Sequence, residues 1–205
     1  MPDAYAISWV RESHLSAEIL ESVRELNHRF LDIVALQPRH WSTSGPDPSA
    51  AVSAQVAPLS AAQKAAAAAC PYALFDLRFD DDSYWQKRLQ TADHGGVADA
   101  SPVDSRTLDF VRLALFFAWH AASTTRLAGQ LLLGMHELTA AAFRGATIDR
   151  LPSLAATEAI NLTARWNGCA AYWQALTGAA TRPNLAHLRR IQLYGLQLTA
   201  AARLT

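Results

Sequence analysis

Residues 78–86 read Arg-Phe-Asp-Asp-Asp-Ser-Tyr-Trp-Gln, and residues 165–174 read Arg-Trp-Asn-Gly-Cys-Ala-Ala-Tyr-Trp-Gln. The pairs Arg78-Phe79 and Arg165-Trp166 stand 87 residues apart, while Tyr84-Trp85-Gln86 and Tyr172-Trp173-Gln174 stand 88 apart. Trp and Tyr are scarce, so their return in the same order behind an Arg-aromatic pair reads as a duplicated structural unit with one inserted residue.

Around both phrases almost every segment reads as helix: Ala and Leu dominate, alternating β-branched runs are missing, and apolar residues recur at three and four. Over 16–36, Ile19, Val23, Leu26, Phe30 and Ile33 form one stripe, with Glu18, Glu21, Glu25 and Arg29 largely off it. Pro38, Pro46, Pro48 and Pro58, among Ser and Gly, predict a long loop over 37–58. Ser60 with Gln63 makes a capping box for a helix starting at Ala61, and Pro71 ends or bends it. Asp80-Asp81-Asp82 favours the N-terminus of a helix carrying Tyr84, Trp85 and Leu89.

Gly95-Gly96 marks a second loop between the halves. The helix beyond it, from 104 to the mid-120s, is apolar around most of its circumference, with Leu108, Val111, Leu115, Ala118, Trp119 and Ala122 on one side. Such a helix belongs at a bundle centre or in an oligomer interface. Two short helices over 126–133 and 136–144, with Gly134 and Gly145 placed as left-handed C-caps, have the layout of a helix-turn-helix. Pro183 opens a last helix with one face of Leu185, Leu188, Ile191, Gly195 and Leu198 and another of Leu193, Leu196 and Ala200. The expected fold is an all-α helical bundle: a first repeat over 1–92, a linker over 93–103, a second repeat over 104–180 and a C-terminal packing helix over 181–205. Leu115, Trp119, Leu188 and Leu198 are the candidate interface residues.

Eighteen basic residues balance eighteen acidic ones in the 205-residue chain. A net charge of zero argues against a self-sufficient nucleic-acid binder, which draws most of its affinity from phosphate neutralisation. Cys70 and Cys169 lie far apart, outside any CxxC spacing, and signal neither a zinc site nor a disulfide framework. The most apolar stretch, 108–122, contains Asp109, Arg112 and His120 and is shorter than the roughly 20 residues of a membrane span. With no basic region ahead of an apolar run at the N-terminus, the expected compartment is the cytoplasm. The seven histidines form no His-x3-His or HExxH pair, and neither a nucleophile elbow nor a phosphate loop appears, so neither cofactor, metal nor enzymatic activity is expected.

Read without gaps over 133–166, the second half resembles the flagellar transcriptional regulator FlhD. Leu133-Gly134-Met135, Glu137, Ala140, Thr147, Leu151, Leu154-Ala155, Ile160 and Arg165-Trp166 fall on that family's motif positions, and the likeness extends over roughly 107–176. In the first half Val23, Glu25, Leu26, Asn27, Phe30 and Leu31 resemble its opening helix. Leu59-Ser60, Gln63 and Arg78-Phe79-Asp80-Asp81 resemble later motifs, with the loop over 37–58 standing where the helix-turn-helix belongs. The resemblance implies a tandem pseudo-dimer, dimerisation through interleaved helices, and a role in transcription. It implies an FlhC-like or other regulatory protein as partner, promoter DNA as target, and a homo- or hetero-oligomer.

Within the helix-turn-helix segment Arg126, His136, Thr139 and Arg144 are the candidate DNA contacts. Base reading needs Arg, Lys, Asn or Gln on the groove-facing side, with cations around them for phosphates. Only Arg126 and Arg144 are cationic here, and Glu137 would repel phosphate. Arg78 and Arg165 read either as partner contacts or as guanidiniums stacked on neighbouring aromatics or bonded to helix ends. Arg189 and Arg190, with Arg182 and His187 upstream and Arg203 beyond, give the C-terminal segment a positive bias that a final helix's dipole would also accommodate. Two functions are carried forward: a transcriptional regulator or co-regulator working through a partner, and a helical protein-protein adaptor with no DNA role.

Overall fold

The first helix, α1 (Ala17–Leu36), starts where the Ser16 hydroxyl accepts the Ile19 N–H at 3.2 Å. It buries Ile19, Val23, Leu26, Phe30 and Ile33, the stripe expected, while Glu25 and Arg29 pair across one turn on the solvent side. The structure is a computed structural model, and it describes residues 15–36, 48–90, 103–125, 127–182 and 184–201. The elements after α1 are α2 (Pro48–Val56), α3 (Ala61–Ala68), β1 (Phe75–Asp76), α4 (Asp82–Gln90), α5 (Ser105–Thr124), α6 (Glu137–Gly145), α7 (Leu151–Glu158), β2 (Thr163–Ala164), α8 (Ala170–Ala180) and α9 (Leu185–Ala201). The fold is predominantly helical, as expected.

One expectation fails in the first half. Residues 48–56 form α2 rather than part of a loop. Proline is tolerated in a first helical turn because its missing N–H has no intrahelical acceptor there, and Pro58 falls just beyond the last turn. Val52 and Val56 are buried, and the Ser53 hydroxyl donates to the Val34 carbonyl at 2.8 Å, so tertiary contacts hold a segment whose own periodicity is weak. Residues 37–47 and 93–102 lie outside the described residues.

The elements recur at one constant offset. Ala17 and Ser105 open helices of 20 residues each, Phe75 and Thr163 open the strands, and Asp82 and Ala170 open α4 and α8, every pair 88 residues apart. Ahead of α4 and α8 a single residue takes a left-handed conformation, Arg78 at φ 58° and Trp166 at φ 52°, again 88 apart. Trp85 Nε1 donates to the Leu77 carbonyl at 3.1 Å, and Trp173 Nε1 donates to the Arg165 carbonyl at 3.0 Å. Trp166 is therefore the counterpart of Arg78, and Leu77 that of Arg165. The inserted residue suggested by the two Arg-aromatic pairs does not exist, because the turn and the indole anchor set the register.

The two strands pair antiparallel, Phe75 with Ala164 and Asp76 with Thr163. Shifting by 88 residues exchanges one pair for the other, which is what a local two-fold axis between the halves requires. Packing follows the same symmetry. Within each half the long helix packs on its two short followers, α1 on α2 and α3, α5 on α6 and α7, and α1 meets α5 where Phe30 and Phe110 lie 5.9 Å apart. The final helix of each half crosses over: α4 packs on α6, and α8 packs on α2 and α3. Trp85 sits 4.7 Å from the Phe143 ring and is fully buried, as is Trp173 in the other crossing. Among the described residues α9 has no counterpart, and it lies on α8.

Side-chain caps set some of the helix starts. Ser60 and Gln63 form the expected box, the side-chain oxygen of each accepting the other's backbone N–H. Asp81 Oδ1 accepts the Tyr84 N–H at 2.9 Å, and this bond, together with Arg78, holds its carboxyl below the usual range. Gly134 is left-handed at φ 75°, as its role as a cap requires. Gly145 is not: it ends α6 without a positive φ, and extended Ala146 follows.

Candidate interaction surface and the helix-turn-helix segment

The segment over 127–145 contains one α-helix rather than two. Gly129–Leu133 is a wide π-helical turn that stops at Gly134, and α6 follows. The N-terminus of α6 is held by the other half of the chain: Asp82 Oδ1 accepts both the Thr139 N–H and the Thr139 hydroxyl at 2.7 Å. Thr139, expected among the DNA contacts, is fully buried in this contact and cannot reach a groove. His136 is partly exposed, its Nδ1 3.8 Å from Asp82 Oδ2. Arg144 is exposed at the residue level, but its Nε donates to the Ala122 carbonyl at 3.1 Å near the end of α5, where helix carbonyls lack intrahelical donors. Arg126 lies outside the described residues. The outward side of α6 presents Glu137, Leu138, Ala141 and Arg144, a poor set for reading bases.

The candidate interface residues turn inward. Leu115 is buried in the core on α5, and Leu188 is buried on α9. Trp119 is half-buried, with Nε1 donating to the Ala146 carbonyl at 3.0 Å, and Leu198 is half-buried at the edge of α9. Leu115 and Leu188 serve packing within one chain. A helix apolar on most sides is explained by the contact between halves, without a second molecule.

The duplicated Tyr-Trp phrase yields two different environments. Under α9 the Tyr172 and Tyr72 hydroxyls lie 2.9 Å apart, and Tyr72 donates to the Gln192 carbonyl at 2.7 Å. Cys70 lies beside them, and burial pushes its thiol up to about 12, so it behaves as a small apolar group. In the other half Tyr84 donates to Glu158 Oε2 at 2.6 Å, Asn161 Nδ2 donates to the same oxygen at 2.8 Å, and Arg88 Nε donates to Oε1 at 2.9 Å. Burial, then the bond to Glu158, raises the Tyr84 hydroxyl to about 12. Glu158 is fully buried and both of its carboxylate oxygens accept hydrogen bonds, as a carboxylate removed from water requires.

The 88-residue correspondence sets Glu158 against Cys70 and Arg88 against Leu176. One pocket is uncharged and roofed by α9; its twin is a charged cluster that, among the described residues, lacks that roof. Sequence reasoning missed Glu158, Arg88 and Asn161, and only alignment of the halves at offset 88 marks them, as polar residues opposite apolar ones.

Both arginines of the repeated phrase take structural roles. Arg78 pairs with Asp81 at 2.5 Å and lies 4.2 Å over the Tyr84 ring. Arg165 is buried, donates to the Leu132 carbonyl at 3.2 Å and to the Thr199 hydroxyl at 3.3 Å, and lies over Trp166. Its guanidinium fills the space that a side chain at Gly134 would need, since a Cβ there would fall 2.1 Å from Nη2.

A groove of about 490 Å³ between α1, α3 and α5 has Ile33 and Phe110 among its lining, with Lys64 paired to Asp32 at its rim. Among the described residues, no three His, Cys, Asp or Glu side chains are grouped to hold a metal ion, and no helix is long and apolar enough to cross a membrane. No protein-family model, curated protein or solved structure matches the chain.

Proposed function

We propose that this chain is an FlhD-like co-regulator of transcription, a single polypeptide standing in for a homodimer, and that it acts by binding a partner protein. The observation that carries the reading is the crossing of α4 and α8 between halves related by a constant 88-residue offset. It is the one-chain form of the interleaved dimer that the resemblance over 133–166 implies, and it needs no second copy to bury its core. Neutral net charge and the inward-facing side of α6 favour action through a partner over autonomous base reading.

The test is a mobility shift of the full chain on genomic fragments, with and without co-purified partner, across a salt series, alongside promoter occupancy in a deletion strain. Recovery of a transcription-associated protein, with promoter binding that depends on it, is the expected result. Recovery of no such protein together with unchanged promoter occupancy refutes the reading. The burial of Thr139 and the tie of Arg144 to α5 favour a second reading, an adaptor with no DNA role. In that case Arg144→Ala leaves function intact, whereas charge or bulk placed at Leu115 abolishes it.

A further inference from the structure

Helix α9 is held to the bundle along one face, where Ile191, Leu196 and Leu198 are half-buried beside its buried residues. Leu188, Gln192, Gly195 and Thr199 are its buried residues, and only the first is a large apolar side chain. Its outward surface exposes Leu185 at 60%, Leu193 at 59% and Tyr194 at 43%, large apolar groups on a helix of 17 residues. The charge on this surface is one-sided. α9 contains no Asp or Glu, Arg189 and Arg190 are exposed on it, and exposed Arg182 precedes it. Among the described residues these three make no ion pair, whereas Arg24, Arg29, Lys64, Arg78, Arg88 and Arg112 each hold a carboxylate.

Helix electrostatics do not explain the three arginines. All lie ahead of α9 or in its first half, none in its last turn, so its dipole does not favour them. With the whole chain neutral, this end carries a local positive excess that the described residues leave unmatched.

We infer that the outward face of α9 docks an acidic helix of the partner protein, with apolar side chains set among its carboxylates; the inference rests on the partner-dependent reading above. Leu185, Arg189 and Leu193 follow one another at four-residue spacing and so form a single row, which demands a ligand both apolar and anionic along its length. Nucleic acid would meet the cations but not Leu185, Leu193 and Tyr194. A bilayer would require an unbroken apolar face, whereas the row is interrupted by Arg189 and the central seam is committed to α8 and Tyr72.

The test titrates the full chain with a synthetic amphipathic peptide whose helical face carries Leu and Glu, and with the same peptide carrying Lys for Glu. The Glu peptide binds, binding weakens with salt, and Arg189→Glu with Arg190→Glu reduces its affinity about tenfold while admitting the Lys peptide, because exposed attractions become repulsions. Leu193→Ser with Tyr194→Ser weakens the Glu peptide without moving the thermal midpoint, since both positions are exposed. Equal affinity for the two peptides, indifference to charge reversal, or tighter retention on phosphatidylglycerol vesicles or duplex DNA overturns the inference. Light scattering that shows a dimer dissolved by the Leu193 change also overturns it, by assigning the face to a second copy. If the Arg189→Glu, Arg190→Glu chain still recovers its partner and occupies promoters, the docking surface is wrong and the regulator reading stands. If peptide binding follows charge but no transcription-associated protein is recovered, the reverse holds.

Discussion

Replacing Gly195 by Ala should loosen α9 from the rest of the bundle. A Cβ at this position would fall 2.0 Å from the Tyr72 hydroxyl oxygen and 2.4 Å from its Cζ, both far inside contact distance. Tyr72 cannot swing away, because it is fully buried and bonded to Tyr172 and to the Gln192 carbonyl. Relief must come from displacing α9, which breaks the Gln192 bond, costing about 1 kcal/mol, on top of roughly 1–3 kcal/mol for overpacking. Helix propensity opposes this by about 1 kcal/mol in favour of Ala, leaving a net loss of roughly 1–3 kcal/mol. Gly178→Ala is the control: it lies within α8, nothing approaches its Cβ within 4 Å, and propensity alone should stabilise it by up to about 1 kcal/mol. Urea denaturation of both variants, with amide exchange across 185–201, measures the difference. Tyr72→Phe should not rescue Gly195→Ala, since the ring carbon remains too close. A Gly195→Ala protein as stable as the parent, with unchanged protection in α9, would refute the packing argument.

Three further outcomes follow from the same geometry. Arg88→Leu should destabilise by about 3 kcal/mol by leaving buried Glu158 without its cation, and adding Glu158→Cys, which imports the Leu176–Cys70 pair of the other half, should recover most of that loss in thermal unfolding. The Asp76 carboxyl is held above its ordinary range, first by desolvation and against the donation of the Phe79 N–H. Its protonated form therefore favours the fold: that contribution is full below the ordinary carboxylate value of about 4 and is lost as pH rises through the raised folded value. Asp76→Asn should flatten this part of the stability profile in denaturant titrations run between acid and neutral pH. Thr139→Ala should cost about 1–2 kcal/mol through the lost hydroxyl bond to Asp82 and leave any promoter retention in a mobility shift unchanged; a selective loss of retention without loss of stability would restore Thr139 to a DNA-facing role.

Much of the helical layout was legible because its causes are local. The stripe on α1, the Ser60–Gln63 box and the left-handed Gly134 depend on residues within a turn or two of one another, and each stands where the residues place it. The misreadings share the opposite property. Helix α2 opens on Pro48, is followed by Pro58 and has little amphipathic signal, and is held by Val52, Val56 and Ser53 against residues distant in sequence. Gly145 looks like a cap, but the chain leaves α6 in an extended conformation that any residue can adopt. Thr139 and Arg144 have the chemistry of surface contacts, yet α4 and α5 arrive to bury one and tether the other.

By itself the sequence determined that the chain is helical and that it is doubled, because helix propensity and the recurrence of Tyr, Trp and Gln in order are properties of the string. Tertiary structure decided the register of the doubling, where Arg78 and Trp166 rather than the two arginines occupy the same turn. It also decided the crossing of α4 and α8, the difference between one Tyr pocket and the charged cluster around Glu158 in the other half, and the roof supplied by α9. The reason is physical: which helix covers which depends on burial and hydrogen bonds between residues some 50 to 120 positions apart. Periodicity within one segment carries no information about those energies.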